Sequence, residues 1–166
     1  SFPKEKLIDA VRKIHPMNIA PHEMKDKITK AKYNEPSTAP LLALLFPHQP
    51  KGALHIDHIF SLDQIQKLHG DETWLHYLCN LQVLDRAENL SKGTKSPQEW
   101  LGQFKDDTVR NQLIKRNMLE GVQDIDIADI EALTEWWDKR DEAMIAKFIA
   151  LLPTDFQAND EPSGKN

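Results

Sequence analysis

The side chains best suited to chemistry lie between His55 and Lys95. Asp57 and His58 open this stretch, Asn80 lies within it, and Asn89 and Lys92 close it. They supply an imidazole, a carboxylate and two carboxamides that one metal ion could gather. A histidine that is neutral near pH 7 can take a proton from water as a general base, which assigns that part to His58. Asp57 and Asn89 offer only oxygen donors, and hard oxygen favours Mg²⁺, with Mn²⁺ as its substitute, over zinc. Two protein ligands are few, so such an ion keeps waters and takes further oxygens from the substrate, as Mg²⁺ does. Each signal alone also has an ordinary reading. An Asp-His pair is commonly a core histidine bonded to a carboxylate, and asparagines are frequent in turns and caps. Ser91-Lys92-Gly93 is also how an ordinary helix ends.

The elements that must position these groups follow from local pattern. Leu54, Ile56, Ile59 and Phe60 predict a short half-buried strand. Neighbouring side chains on a strand face opposite sides, so Asp57 and His58 diverge unless the strand ends or bulges there. His55, two residues before Asp57, shares its face; it is read either as a third ligand, a phosphate contact or a support for Asp57, or as a strand-edge histidine on a backbone carbonyl. Leu81 to Leu84 predict a second strand, with Asn80 just before it. Asp85 then reads as the N-cap of a short helix that Gly93 stops.

This order of strand, long connection, strand and helix, with Asp57-His58, Asn80, Asn89 and Lys92 at those places, resembles the HNH nuclease motif on a ββα-metal finger. The phrases Asn80-Leu81-Gln82-Val83-Leu84 and Glu88-Asn89-Leu90-Ser91-Lys92-Gly93 are similar to that family's second strand and helix. The likeness covers roughly residues 54–97. The apolar run Leu41 to Pro47 and the tryptophan-bearing helices after the motif resemble the C-terminal nuclease part of GmrSD-like, modification-dependent restriction proteins. The resemblance implies Asp57 and Asn89 on the metal, His58 as base, and Asn80 orienting the histidine ring through the loop backbone or by a hydrogen bond. Lys92 is then a phosphate contact or a support behind the ligands. The chain departs from common patterns in carrying Ser61 where many relatives have proline. It also has a single cysteine, Cys79, so it can form neither a Cys-x-x-Cys zinc knuckle nor an internal disulfide.

The expected fold class is α+β and mostly helical: a helical scaffold around a single ββα-metal (HNH) finger. One domain over residues 1–153 accounts for the length, with a polar, disordered tail at 154–166. Helical spacing predicts helices over 4–15, from Pro21 to about Lys32, and from Pro40 to Phe46. Further helices are expected from Ser61 to His69, and from Asp71-Glu72 onward carrying Trp74, Leu75, Tyr77 and Leu78. Others run from Ser96, from Asp106-Asp107 to Met118, and from Asp129 to Leu152, where Pro153 ends the last. Trp74 and Tyr77 read as core. His15, His22 and His48 read as structural or solvent-facing, while His69 and His76 are within reach of the phosphate without their spacing requiring it. The chain begins with Ser and reads as a piece of a longer protein in which another, N-terminal domain precedes it.

Net charge is −5, an unfavourable balance for gripping DNA, since phosphate contacts supply most non-specific affinity. The distribution offsets this. Residues 1–32 hold eight Lys/Arg against four Asp/Glu, whereas residues 121–143 hold two against eight. Arg110, Lys115 and Arg116 are available for phosphate. No apolar run reaches the ~18 residues a membrane span needs. The absence of a signal-peptide pattern and the lone cysteine point to the cytoplasm. The expected activity is metal-dependent nicking or cutting of DNA phosphodiester bonds, in defence against phage or modified foreign DNA. The alternatives are an inactive DNA-binding or assembly module that keeps the finger as structure, and a phosphodiesterase acting on RNA.

Overall fold

The computed structural model describes residues 21–46, 54–70 and 73–151. The expected helix over 4–15, the tail, the Pro153 stop, the start at Asp71-Glu72, and the side chains of His15, His22 and His48 lie outside the described residues. Among the described residues the chain is mostly helical with one two-stranded antiparallel sheet. In order come α1 (Pro21–Lys30), α2 (Thr38–Leu45), β1 (Leu54–His58), α3 (Leu62–His69), two 3₁₀ turns (Thr73–His76 and Leu78–Asn80), and β2 (Leu81–Asp85). Then follow α4 (Arg86–Lys92), α5 (Pro97–Leu101), α6 (Asp107–Asn117), a 3₁₀ turn (Val122–Asp124) and α7 (Ile130–Ile149). Among the described residues no helix is long and apolar enough to cross a membrane.

Caps set most of these boundaries. Asp85 accepts the Glu88 N–H at 2.8 Å while Glu88 accepts the Asp85 N–H at 2.9 Å, a reciprocal cap that starts α4. Ser96 and Glu99 do the same for α5, with Pro97 at the first helical position. Asp129 caps α7 by accepting from Glu131 and Ala132. Gly93, at φ +51°, turns the chain out of α4.

Two expectations are corrected. The helix expected to carry Trp74, Leu75, Tyr77 and Leu78 is instead a pair of 3₁₀ turns. Tyr77 between them leaves the helical path to bridge Lys32. A tertiary pairing has overridden local helical preference. The strand expected to run to Phe60 stops at His58, because the side chain of Asn80 takes up the backbone of Phe60.

The core gathers around α7. Leu133, Trp136, Trp137, Met144 and Phe148 pack against Leu42, Leu45 and Phe46 of the α2 end, Phe60 after β1, and Leu78 and Leu81 leading into β2. Phe60 meets both Trp136 and Trp137 edge to face, at ring centroid distances of 5.5 and 5.8 Å. Trp74 packs on Trp137 at 4.3 Å, the core role expected of it.

At the centre of that apolar contact sits Arg140, 3% exposed. Its guanidinium donates to the carbonyls of Leu78, Cys79, Leu81, Asn117 and Met118 at 2.6 to 3.2 Å. Burial lowers its pKa to about 10, so it stays charged at neutral pH. Those carbonyls belong to the turn before β2 and to the end of α6. A single buried cation therefore ties α7 to both.

Candidate active site

β1 and β2 pair in regular antiparallel register, with Asp57 opposite Gln82 and His58 opposite Leu81. The outer edge of this small sheet is covered by side chains. Asn117 accepts the Val83 N–H at 3.2 Å, and Arg140 donates to the Leu81 carbonyl at 2.8 Å. Both groups lie on the side of β2 away from β1, so capping them satisfies a strand edge that is otherwise unpaired. α4 follows β2 directly and packs on both strands, giving the order β, β, α about the candidate residues.

Lys92 is deeply placed. It is 1% exposed, and its ammonium donates to Asp57 Oδ2 at 2.9 Å and to the His58 carbonyl at 2.7 Å. It is a buried support on β1, not an exposed lysine at a helix end. Gln82, equally buried, donates to the same Asp57 oxygen at 3.1 Å. Asp57 Oδ1 makes no hydrogen bond among the described residues.

Asn80 is fully buried and does its work through the backbone. Its Oδ1 accepts the Phe60 N–H at 3.0 Å, and its Nδ2 donates to the carbonyls of Leu75 and Phe60 at 2.9 and 3.3 Å. Its own carbonyl accepts the Ile59 N–H at 2.8 Å. The bend just past His58 is thus fixed by one side chain, and the ring of His58 itself receives no hydrogen bond from it.

His58 lies on the other side of β1 from Asp57, as alternation on an unbulged strand requires. Its imidazole packs against Tyr33 at 4.8 Å and, edge to face, against His76 at 5.5 Å. Nε2 is buried and has no hydrogen-bond partner among the described residues. Burial pushes its pKa from 6.5 down to about 4; His76 and Lys92 push the same way and Asp57 opposes them. The ring is therefore neutral at pH 7, the form a proton acceptor needs.

The remaining candidates flank this cluster. Asn89, three residues before Lys92, sits half-buried on the same side of α4. His55 is half-buried on the Asp57 face of β1, opposite Leu84. His69 is turned away to the Ile127 carbonyl at 2.7 Å. Hence Asp57, the His58 backbone, Gln82 and Lys92 are drawn together by hydrogen bonds, Asn80 bonds separately to the bend at Ile59 and Phe60, and the Asn89 carboxamide and the His55 ring make no hydrogen bond among the described residues. No trio of His, Cys, Asp or Glu converges there either. The oxygen donors fit a hard divalent ion in type: a carboxylate with one unused oxygen, and a carboxamide on the helix beside it.

Sequence reasoning missed Gln82, Arg140 and Tyr33 as parts of this arrangement, and it set His76 near the phosphate without foreseeing its contact with the His58 ring. Gln82 left a signal, a lone polar residue in an apolar strand, at the register position facing Asp57. The others reach the site only through the fold. No family model matches the chain, and no curated protein matches it.

Proposed function

We propose that this domain is a Mg²⁺-dependent HNH endonuclease that hydrolyses DNA phosphodiester bonds. One observation carries the reading: two antiparallel strands run directly into a short helix whose Lys92 ammonium joins Asp57 and the His58 backbone, behind a neutral imidazole with an unpartnered Nε2. Hydrolysis needs a water stripped of a proton, relief of phosphate charge, and help for the leaving oxygen. The neutral His58 imidazole accepts the water proton. Its low basicity makes it a weak acceptor, and a phosphate anion drawn beside the ring raises that basicity. Lys92 and Gln82 hold the Asp57 carboxylate in one orientation, and Asn80 fixes the bend that ends the His58 strand. Asp57 and Asn89 are the residues that would hold Mg²⁺, which supplies charge relief at the phosphate and at the departing 3′ oxygen. The resemblance extends the proposal to defence against phage or modified DNA.

A second reading has its own support. The Asp57 charge is already neutralised by Lys92, and His58 faces the opposite side, an arrangement that also suits a DNA-binding module keeping the fold without cutting. Supercoiled plasmid incubated with Mg²⁺, Mn²⁺ or EDTA decides between the two. Nicking that EDTA abolishes and His58→Ala removes supports the nuclease. Binding without nicking supports the module, and full activity in His58→Ala overturns the mechanism.

A further inference from the structure

Two hollows on the surface carry opposite charge. One, of about 390 Å³ along α7, is lined by Glu131, Glu135 and Asp138 with no Lys or Arg. The other, of about 550 Å³, lies between α4, α6 and α7 and is lined by Lys115, Arg116, Lys147, Gln112, Phe46 and Glu88, among others. We propose that this second cleft seats the phosphate backbone of the DNA strand beside the bond that is cut, with Lys115 and Lys147 as its contacts. The proposal rests on the nuclease reading for its partner.

Three features of the cleft support this occupant. The first is free positive charge. Glu88, its only carboxylate among the described residues, is committed to the α4 cap and to Arg116 at 2.8 Å. Lys115 and Lys147 have no carboxylate within ion-pair distance among the described residues, and Glu120 faces Lys147 only at longer range. By contrast, exposed Lys30 and Lys139 are each paired with an acid one turn away. The second is position. Glu88 stands next to Asn89 and one turn before Lys92, so the cleft adjoins the candidate site across a single turn of α4. The third is preorganisation. The Lys147 ammonium lies 5.3 Å from the centroid of the Phe46 ring, so its head is placed over that ring before any ligand arrives. Its partial burial lowers its pKa, a cost that an adjacent anion relieves. The acidic hollow repels the same polyanion, so the two hollows together give the surface a preferred direction for DNA.

The test uses the full chain and a fluorescent duplex oligonucleotide, in a His58→Ala background for binding and with His58 intact for nicking. Lys115→Gln/Lys147→Gln should raise Kd about tenfold near 0.1 M salt and flatten the slope of log K against log salt by about 1.8, some 0.9 for each phosphate that is no longer neutralised. Nicking should show a raised KM with kcat unchanged. Lys115→Gln alone changes an exposed side chain without threatening the fold and should give half the slope change. Lys30→Gln/Lys139→Gln should leave the slope as it was. An unchanged slope in the cleft variants, with plasmid still cut by the unmodified protein, overturns the cleft and leaves the nuclease reading standing. A weakened slope in a protein that never cuts supports the cleft and removes the nuclease. A protein that neither binds nor cuts DNA, or that binds anionic vesicles or acidic peptides instead, overturns both.

Discussion

The two faces of β1 hold their functional side chains by different means. On one face Asp57 is fixed by bonds: a buried ammonium and a buried carboxamide both donate to a single oxygen. On the other, His58 is fixed by packing alone, between the rings of Tyr33 and His76, with its Nε2 bonded to nothing. Bonded groups resist displacement, and because both bonds fall on Oδ2 the Asp57 carboxylate still has Oδ1 to offer. A packed ring with a free nitrogen is positioned and still has its lone pair to give. The contrast separates a group suited to holding charge in place from one suited to moving a proton.

The largest effect is expected from cutting the bonded face. Lys92→Met leaves Asp57 without its cation and the His58 carbonyl without its donor, and should cost about 3–5 kcal/mol in urea unfolding. Adding Asp57→Asn should restore much of that loss, and a double variant as unstable as the single one breaks the comparison. On the packed face the effect moves from stability to activity. His58→Ala should lower plasmid nicking by roughly 10³-fold, within the usual range for a general base. It strands no hydrogen-bond partner, so folding should persist by circular dichroism.

The pH dependence of stability sharpens the contrast further. The folded-state pKa of His58 is depressed, so the unfolded chain binds its proton more readily between about pH 4 and 6.5. His58 therefore makes the protein less stable as pH falls through that window, and His58→Ala should flatten this part of the curve. Asp141 works in the opposite sense. Burial raises its pKa from 3.8 to about 7, and its Oδ1 has no partner. The folded state binds that proton more readily, so stability falls as pH rises through the same region. Asp141→Asn should raise Tm at pH 8 and change it little at pH 4. The smallest effect belongs to Gln82→Met. It removes one hydrogen bond to Asp57 but also relieves the buried, unpartnered Gln82 Oε1, and should shift stability by less than about 1 kcal/mol.

What could be read from the sequence follows the range of each interaction. The α4 cap by Asp85, its stop at Gly93, both strands and the start of α7 near Asp129 are local events, written within a few residues of where they act. The immediate consequence of alternation on β1 was readable as well, as was the chance that the strand ends beside His58. The 3₁₀ turns around Tyr77 were not readable, because a bridge to Lys32 sets them. Nor was the Arg140 clamp, whose bonds to Leu78 and Cys79 span 62 and 61 residues. In sequence Arg140 is one of two bases in an acidic stretch, with nothing to mark it as buried. Tyr33 and His76 reach His58 from separate segments, and no spacing rule joins them. The caps and strands were legible, while the partners that tune the imidazole were not.

Arg140 also bears on how far the candidate site can be excised. The stretch that resembles a self-contained finger ends near residue 97, yet the turn entering its second strand gives three carbonyls to a guanidinium on α7. A peptide cut to 54–97 would present those oxygens to water and lose the anchor behind Asn80. Grafting β1, β2 and α4 onto another scaffold therefore requires carrying α7 with them, or supplying a substitute cation at the same depth.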